Sequence, residues 1–201
     1  MVLARVLSAA ALVLAIVGCS GRPARVAGPN LDASDIAARA IKQYDKNGDG
    51  KLTGDELSPG LKALLKTADK DRDGALTQSE IADRMAVQVK SMVGLMQVAG
   101  MVTLDGHPLP DAAVRFVPDP VLEGIVQPAA GRTDGKGFVS LKIEGQNLPG
   151  VTPGFYRVEV SKKDASNRET LPARYNSSSE LGEEVGEDTL RGGLKLDLRS
   201  R

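Results

Sequence analysis

Apolar residues recur at two different spacings along the chain, and the change from one to the other falls near Met96. Ahead of that point they sit three and four apart, the period of a helix with one buried face. Ala37, Ala40, Ile41 and Tyr44 form the first such stripe, and Leu61, Leu64, Leu65 and Ala68 the second. A third and longer stripe runs through Ile81, Met85, Val89, Met92 and Val93 toward Met96, where Gly94 and Gly100 end the helical pattern. The first helix is expected to start at Ser34, whose hydroxyl suits an N-cap, with Asp35 near the positive end of the helix dipole. Pro59-Gly60 is expected to break whatever helix leaves Glu56. Beyond Met96 apolar and polar positions alternate in short runs between Gly, Pro and Asp turns, the signature of strands. Strands are expected over Val98–Leu104, Ala113–Val117, Ala130–Thr133, Phe138–Ile143, Tyr156–Ser161 and Leu194–Leu198, with a weak one near Val185. The pattern predicts an α+β fold in two domains, all-α over residues 34–96 and an all-β sandwich over residues 97–201. With aromatics at 3% and no Trp, neither domain can build a large aromatic core.

The polar stretches that follow the first two helical stripes repeat each other. DKNGDGKLTGDE runs from Asp45 to Glu56 and DKDRDGALTQSE from Asp69 to Glu80. A hard divalent cation needs about six to eight oxygens around one point, and a short loop supplies them only if its side chains converge. The first loop offers Asp45, Asn47 and Asp49, the carbonyl of Lys51, then Thr53 and Glu56. The second offers Asp69, Asp71, Asp73, the carbonyl of Ala75, then Thr77 and Glu80. Gly50 and Gly74 stand where such a loop must turn sharply, and Leu52 and Leu76 where paired loops join through a short β-bridge. A single acidic, glycine-rich turn is common, but two that agree at every ligand position resemble a pair of EF-hand loops holding two Ca²⁺ ions. The second loop offers four carboxylates at its ligand positions against three in the first, where Asn47 stands in, so its affinity should be at least as high.

The amino terminus adds a separate signal. Arg5 precedes an apolar run, Val6 to Val17, of the length of a leader's hydrophobic core and too short for a comfortable membrane span. Ile16-Val17-Gly18-Cys19 resembles the lipobox of bacterial lipoproteins, in which the cysteine sulfur receives a diacylglyceryl group before cleavage. An ordinary secretory leader or an uncleaved anchor would also present the apolar run, but would leave the chain's one cysteine unexplained. Residues 1–18 then read as a lipoprotein signal peptide and residues 19–33, rich in Gly, Pro and small residues, as a flexible tether. The resemblance implies export and lipid anchoring in the cell envelope, with Ser20 after the cysteine mildly favouring an outer membrane. Two or three acyl chains would hold the domains at the bilayer stably.

In the carboxy-terminal half, VTLDGHPLPDAAVRFVP (102–118), TDGKGF (133–138), PGFYRVEVSKKD (153–164) and LPARYN (171–176) resemble the carboxypeptidase regulatory-like, transthyretin-like domains of bacterial envelope proteins. The resemblance implies an Ig/transthyretin-like sandwich in which the Asp-Gly turn closes the first hairpin and Phe138 and Tyr156 are core residues. It leaves the strand order uncertain around residues 121–130 and 180–190, where this chain carries an insertion and an acidic run.

Formal charge is zero, which excludes the basic footprint of a nucleic-acid binder. His107, the one histidine, sits in a Pro-flanked turn, and neither a zinc peptidase nor a Ser/His/Asp site can be assembled around it. Lys162, Lys163 and Arg168 read as a solvated loop cluster. The expected function is therefore non-enzymatic: a calcium-stabilised envelope lipoprotein whose sandwich serves structure or adhesion toward a protein or envelope polymer. The methionine-bearing face of the third helix is expected to pack over the hand and against the next domain; the alternative is a calcium-responsive regulator that exposes an apolar groove lined by those methionines.

Overall fold

A computed structural model describes residues 32–91, 94–146 and 149–201. The apolar leader, Cys19 and the tether up to residue 31 lie outside those residues, as do Met92 and Val93.

Helix α1 (Ala33–Tyr44) is capped by Asp32, not Ser34. The Asp32 carboxylate accepts the N–H groups of Ser34 at 2.9 Å and Asp35 at 3.0 Å, so an anion meets two orphan donors at the positive end of the helix. Strand β1 (Lys51–Leu52) and a single 3₁₀ turn, Gly54–Glu56, follow. Helix α2 (Pro59–Ala68) then starts at the proline itself, because Pro at the first helical position forfeits only an N–H that would have been unpaired, and Ser58 caps the turn by accepting from Leu61 N–H at 3.1 Å. Pro59-Gly60 thus opens the second helix; the segment that leaves Glu56 is limited to the 3₁₀ turn before it. Strand β2 (Leu76–Thr77) and helix α3 (Gln78–Ser91) complete the helical half. Ile81 and Met85 on α3 are buried as the stripe predicts, but so are Arg84 and Gln88 between and beyond them.

Nine strands follow among the described residues: β3 (Ala99–Leu104), β4 (His107–Pro108), β5 (Ala113–Pro118), β6 (Ala129–Arg132), β7 (Phe138–Ser140), β8 (Lys142–Ile143), β9 (Gly154–Ser161), β10 (Gly182–Val185) and β11 (Leu194–Leu198). One sheet has the order β10-β9-β5-β6-β8; in the other β11 pairs parallel with β3, while β4 and β7 share the opposite edge of β3. Asp105 and Gly106, at φ 51° and 81°, form the two-residue turn between β3 and β4 that matches the twist of a hairpin. Part of the acidic stretch of uncertain order becomes the edge strand β10, and the insertion begins in a 3₁₀ turn, Pro120–Leu122, whose Val121 and Leu122 are buried, and ends in β6.

Tyr156 is a core residue, fully buried, with its hydroxyl donating to the Thr152 carbonyl and its ring 5.6 Å from that of Phe116. Phe138 is not: it is 45% exposed and Val139 takes the inward position. The reason is the turn. Asp134 accepts the N–H groups of Lys136 and Phe138 at 2.8 and 2.9 Å, which sets the register so that β7 turns Val139 toward the core and its two flanking residues outward.

The helices and the sheets share one core. Helix α2 lies on β9 and β10 so closely that a Cβ at Gly182 would fall 1.7 Å from the Pro59 carbonyl oxygen, and one at Gly60 would press on Phe155 at 3.0 Å. The first position therefore excludes a side chain, and the second admits one only if the Phe155 ring yields.

Candidate metal centre

Both acidic loops fold their polar side chains inward by one scheme of hydrogen bonds. Asp45 accepts the N–H groups of Gly48 at 2.6 Å and Gly50 at 2.9 Å; Asp69 accepts those of Arg72 at 2.7 Å and Gly74 at 3.0 Å. Asn47 and Asp49 accept from Asp49 and Lys51, each at 2.9 Å, and Asp71 and Asp73 accept from Asp73 at 3.2 Å and Ala75 at 2.8 Å. Gly50 and Gly74 carry φ values of 80° and 78°, a region that a Cβ would make costly. Each closing glutamate ties the end of its loop back to the start: Glu56 accepts from Lys46 N–H at 2.9 Å and Thr53 N–H at 3.1 Å, Glu80 from Lys70 N–H at 3.0 Å and Thr77 N–H at 2.9 Å. The Thr53 and Thr77 hydroxyls donate to the same two carboxylates. Leu52 and Leu76 pair in the β1–β2 ladder, fully buried, and with Lys51 opposite Thr77 they lock the loops side by side.

In the second loop one oxygen from each of Asp69, Asp71 and Asp73 lies within 4.8 Å of the others. Three carboxylates this close repel unless a cation joins them, and an all-oxygen donor set with no thiolate or imidazole suits a hard divalent ion. In the first loop Asn47 takes the place of one carboxylate and donates to Asp49 at 3.0 Å. The loops also touch electrostatically, with Lys51 Nζ 2.7 Å from Asp73. That hydrogen bond and ion pair hold the Asp73 carboxyl below its ordinary range and raise the Lys51 ammonium. Lys51 thereby offsets part of the negative charge gathered at the ligand positions of the second loop. Burial pushes the Glu80 carboxyl up, but the hydrogen bonds from Thr77 and Lys70 outweigh it and leave the group below its usual value, ionised and ready to bind a cation.

Residues 36–58 and 61–85 each match the family model described as EF hand. Both stretches are thus similar to EF-hand motifs. The matches cover both loops and most of the helices around them and end before the strands of the carboxy-terminal half, and the motif implies Ca²⁺ as the ion the loops are built for. Comparison with curated proteins and with solved structures finds no match.

Two further carboxylates, outside the loops, meet the helices that flank them. Asp119, 2% exposed, accepts from Tyr44 Oη at 3.0 Å and from Ser58 Oγ. Burial raises its carboxyl pKa, and the hydrogen bonds from Ser58, the Val121 N–H and Tyr44 act against that rise. Glu184 on β10 accepts from Thr67 Oγ1 at 2.5 Å, Arg84 Nε at 2.6 Å and Gln88 Nε2 at 2.6 Å, while the Arg84 fork reaches Asp188 at 2.7 and 2.6 Å. Sequence reasoning does not find these groups. The available signal was Arg84 and Gln88 standing on the apolar face of α3, where a charge needs a partner. His107 lies exposed in β4, at the mouth of the β3–β4 turn.

Proposed function

We propose that this is a non-enzymatic calcium-binding lipoprotein of a bacterial cell envelope, in which two Ca²⁺ ions stabilise the helical half and the sandwich serves as a structural or adhesion module. Asp69, Asp71, Asp73, Thr77, Glu80 and the Ala75 carbonyl would hold one ion; Asp45, Asn47, Asp49, Thr53, Glu56 and the Lys51 carbonyl would hold the other. Bound calcium supplies positive charge that cancels the repulsion among these groups. The observation that carries a stabilising role, as opposed to a switch, is the position of α2. A sensor hand opens an apolar groove to a partner, whereas here α2 already lies against β9 and β10 of the same chain, with Gly60 on Phe155 and Gly182 on Pro59. The first hand also has only the Gly54–Glu56 turn to move as its exiting element. Sites in the weak range of extracellular modules, roughly 10⁻⁴ to 10⁻³ M, would stay occupied in a calcium-rich envelope. The envelope location rests on the leader and Cys19, and the likeness of residues 102–176 to transthyretin-like envelope domains supports it.

Calorimetric titration with Ca²⁺ should reveal two sites in the full-length chain in detergent. Glu80→Gln should remove the bidentate ligand and weaken one of them by at least about tenfold; an unchanged titration would contradict the assignment. Cys19→Ser should leave a protein that no longer fractionates with membranes after a salt wash, and a soluble wild type would rule out lipidation.

A further inference from the structure

The two calcium loops are each bracketed by one buried carboxylate of the β half. Tyr44 immediately precedes Asp45, and Ser58 stands two residues beyond Glu56; both hydroxyls donate to Asp119. Thr67 stands two residues ahead of Asp69, and Arg84 and Gln88 lie one and two turns beyond Glu80; all three donate to Glu184. Neither carboxylate belongs to a loop. Asp119 precedes the 3₁₀ turn after β5, anchored by its own N–H on the Phe155 carbonyl at 3.1 Å, and Glu184 is paired into the sheet opposite Phe155 on β9. Both anchors therefore converge on the β9 strand that α2 covers.

Granted the calcium reading above, we propose that Asp119 and Glu184 are positioning residues for the two calcium sites: each clamps the incoming and outgoing flanks of one loop, Asp119 the first and Glu184 the second. A loop whose two ends are free must be ordered by the ion it binds, and that cost lowers affinity; a loop whose ends are already tied at the right separation binds without it. The clamp works through hydrogen bonds and not through charge at the ion, because both carboxylates face the helix flanks. Coupling is reciprocal, so ions in the loops hold the flanks in place for Asp119 and Glu184 and fasten the helices to the sandwich. The β half thus sets calcium affinity, and the sites read the integrity of the β half.

The test uses the full-length chain in detergent, with each site isolated by disabling the other. In a Glu80→Gln background, where the first site is titrated alone, Asp119→Asn should weaken Ca²⁺ binding about tenfold and Glu184→Gln much less. In a Glu56→Gln background the order should reverse. A general loss of stability would weaken both sites alike, so the crossed pattern separates clamping from damage. Tyr44→Phe and Thr67→Val, which delete one hydroxyl and keep the packing, provide the same contrast if the carboxylate variants fold poorly. Two sites in the wild type with no crossed effect in either pair of variants overturns the clamp and leaves the calcium reading standing. A wild type that binds no Ca²⁺ overturns both.

Discussion

Arg84→Ala should destabilise the protein by about 3–5 kcal/mol, the cost of removing one partner from a buried ion pair. The Arg84 side chain is 6% exposed and that of Glu184 3%. Its guanidinium divides its donors, Nε to Glu184 and the two terminal nitrogens to Asp188, so alanine strands a charge in the contact between α3 and β10 with only Thr67 and Gln88 left to solvate it. At about 2–4 °C per kcal/mol for a chain of this size, the melting temperature should fall by on the order of 10 °C. Arg84→Lys should recover only part of the loss, because an ammonium cannot serve both carboxylates in a fork. Denaturant unfolding at fixed calcium measures both variants. A loss under about 1 kcal/mol for Arg84→Ala, the ordinary value of a surface pair, would show that this contact is solvated.

Calcium should stabilise the folded chain by an amount set by occupancy. A ligand that binds only the native state adds about 2.7 kcal/mol per site at a hundredfold excess over its Kd. Two filled sites would then raise the melting temperature by on the order of 10–20 °C. Because α2 shares a core with β9 and β10, the effect should spread beyond the hands: the far-ultraviolet helix signal and the near-ultraviolet tyrosine signal, to which buried Tyr156 contributes, should shift together. Melts recorded in chelator and in excess calcium decide this, and coincident melts in the two conditions would exclude a stabilising ion.

The loops are legible in the chain because every ligand position falls inside one short segment, where spacing alone fixes geometry. The strands are legible for a related reason, since a period of two reports on one strand at a time. What joins the halves is not legible. Tyr44 and Asp119, or Arg84 and Glu184, are distant in sequence and meet only when α2 and α3 settle on the sheets, and a carboxylate in an acidic run looks the same whether it faces water or an arginine. Phe138 shows the limit of side-chain type as a guide. Its size suits a core, but the Asp134 turn decides which face β7 presents, and it presents Val139. Asp32 displaces Ser34 as the cap because the helix begins two residues earlier than the hydroxyl suggested, and there the carboxylate accepts the N–H groups of Ser34 and Asp35.

Amide hydrogen exchange of the full-length chain, with and without calcium, bears most directly on whether the ions fasten the structure or open it. A calcium staple predicts slower exchange in α2, Pro59–Ala68, and equal or slower exchange in β9 and β10, since the helix stays seated on those strands. Faster exchange in α2, β9 or β10 on adding calcium would show the helix lifting away from the sheet, and would contradict the stabilising role in favour of a regulator with an exposed groove.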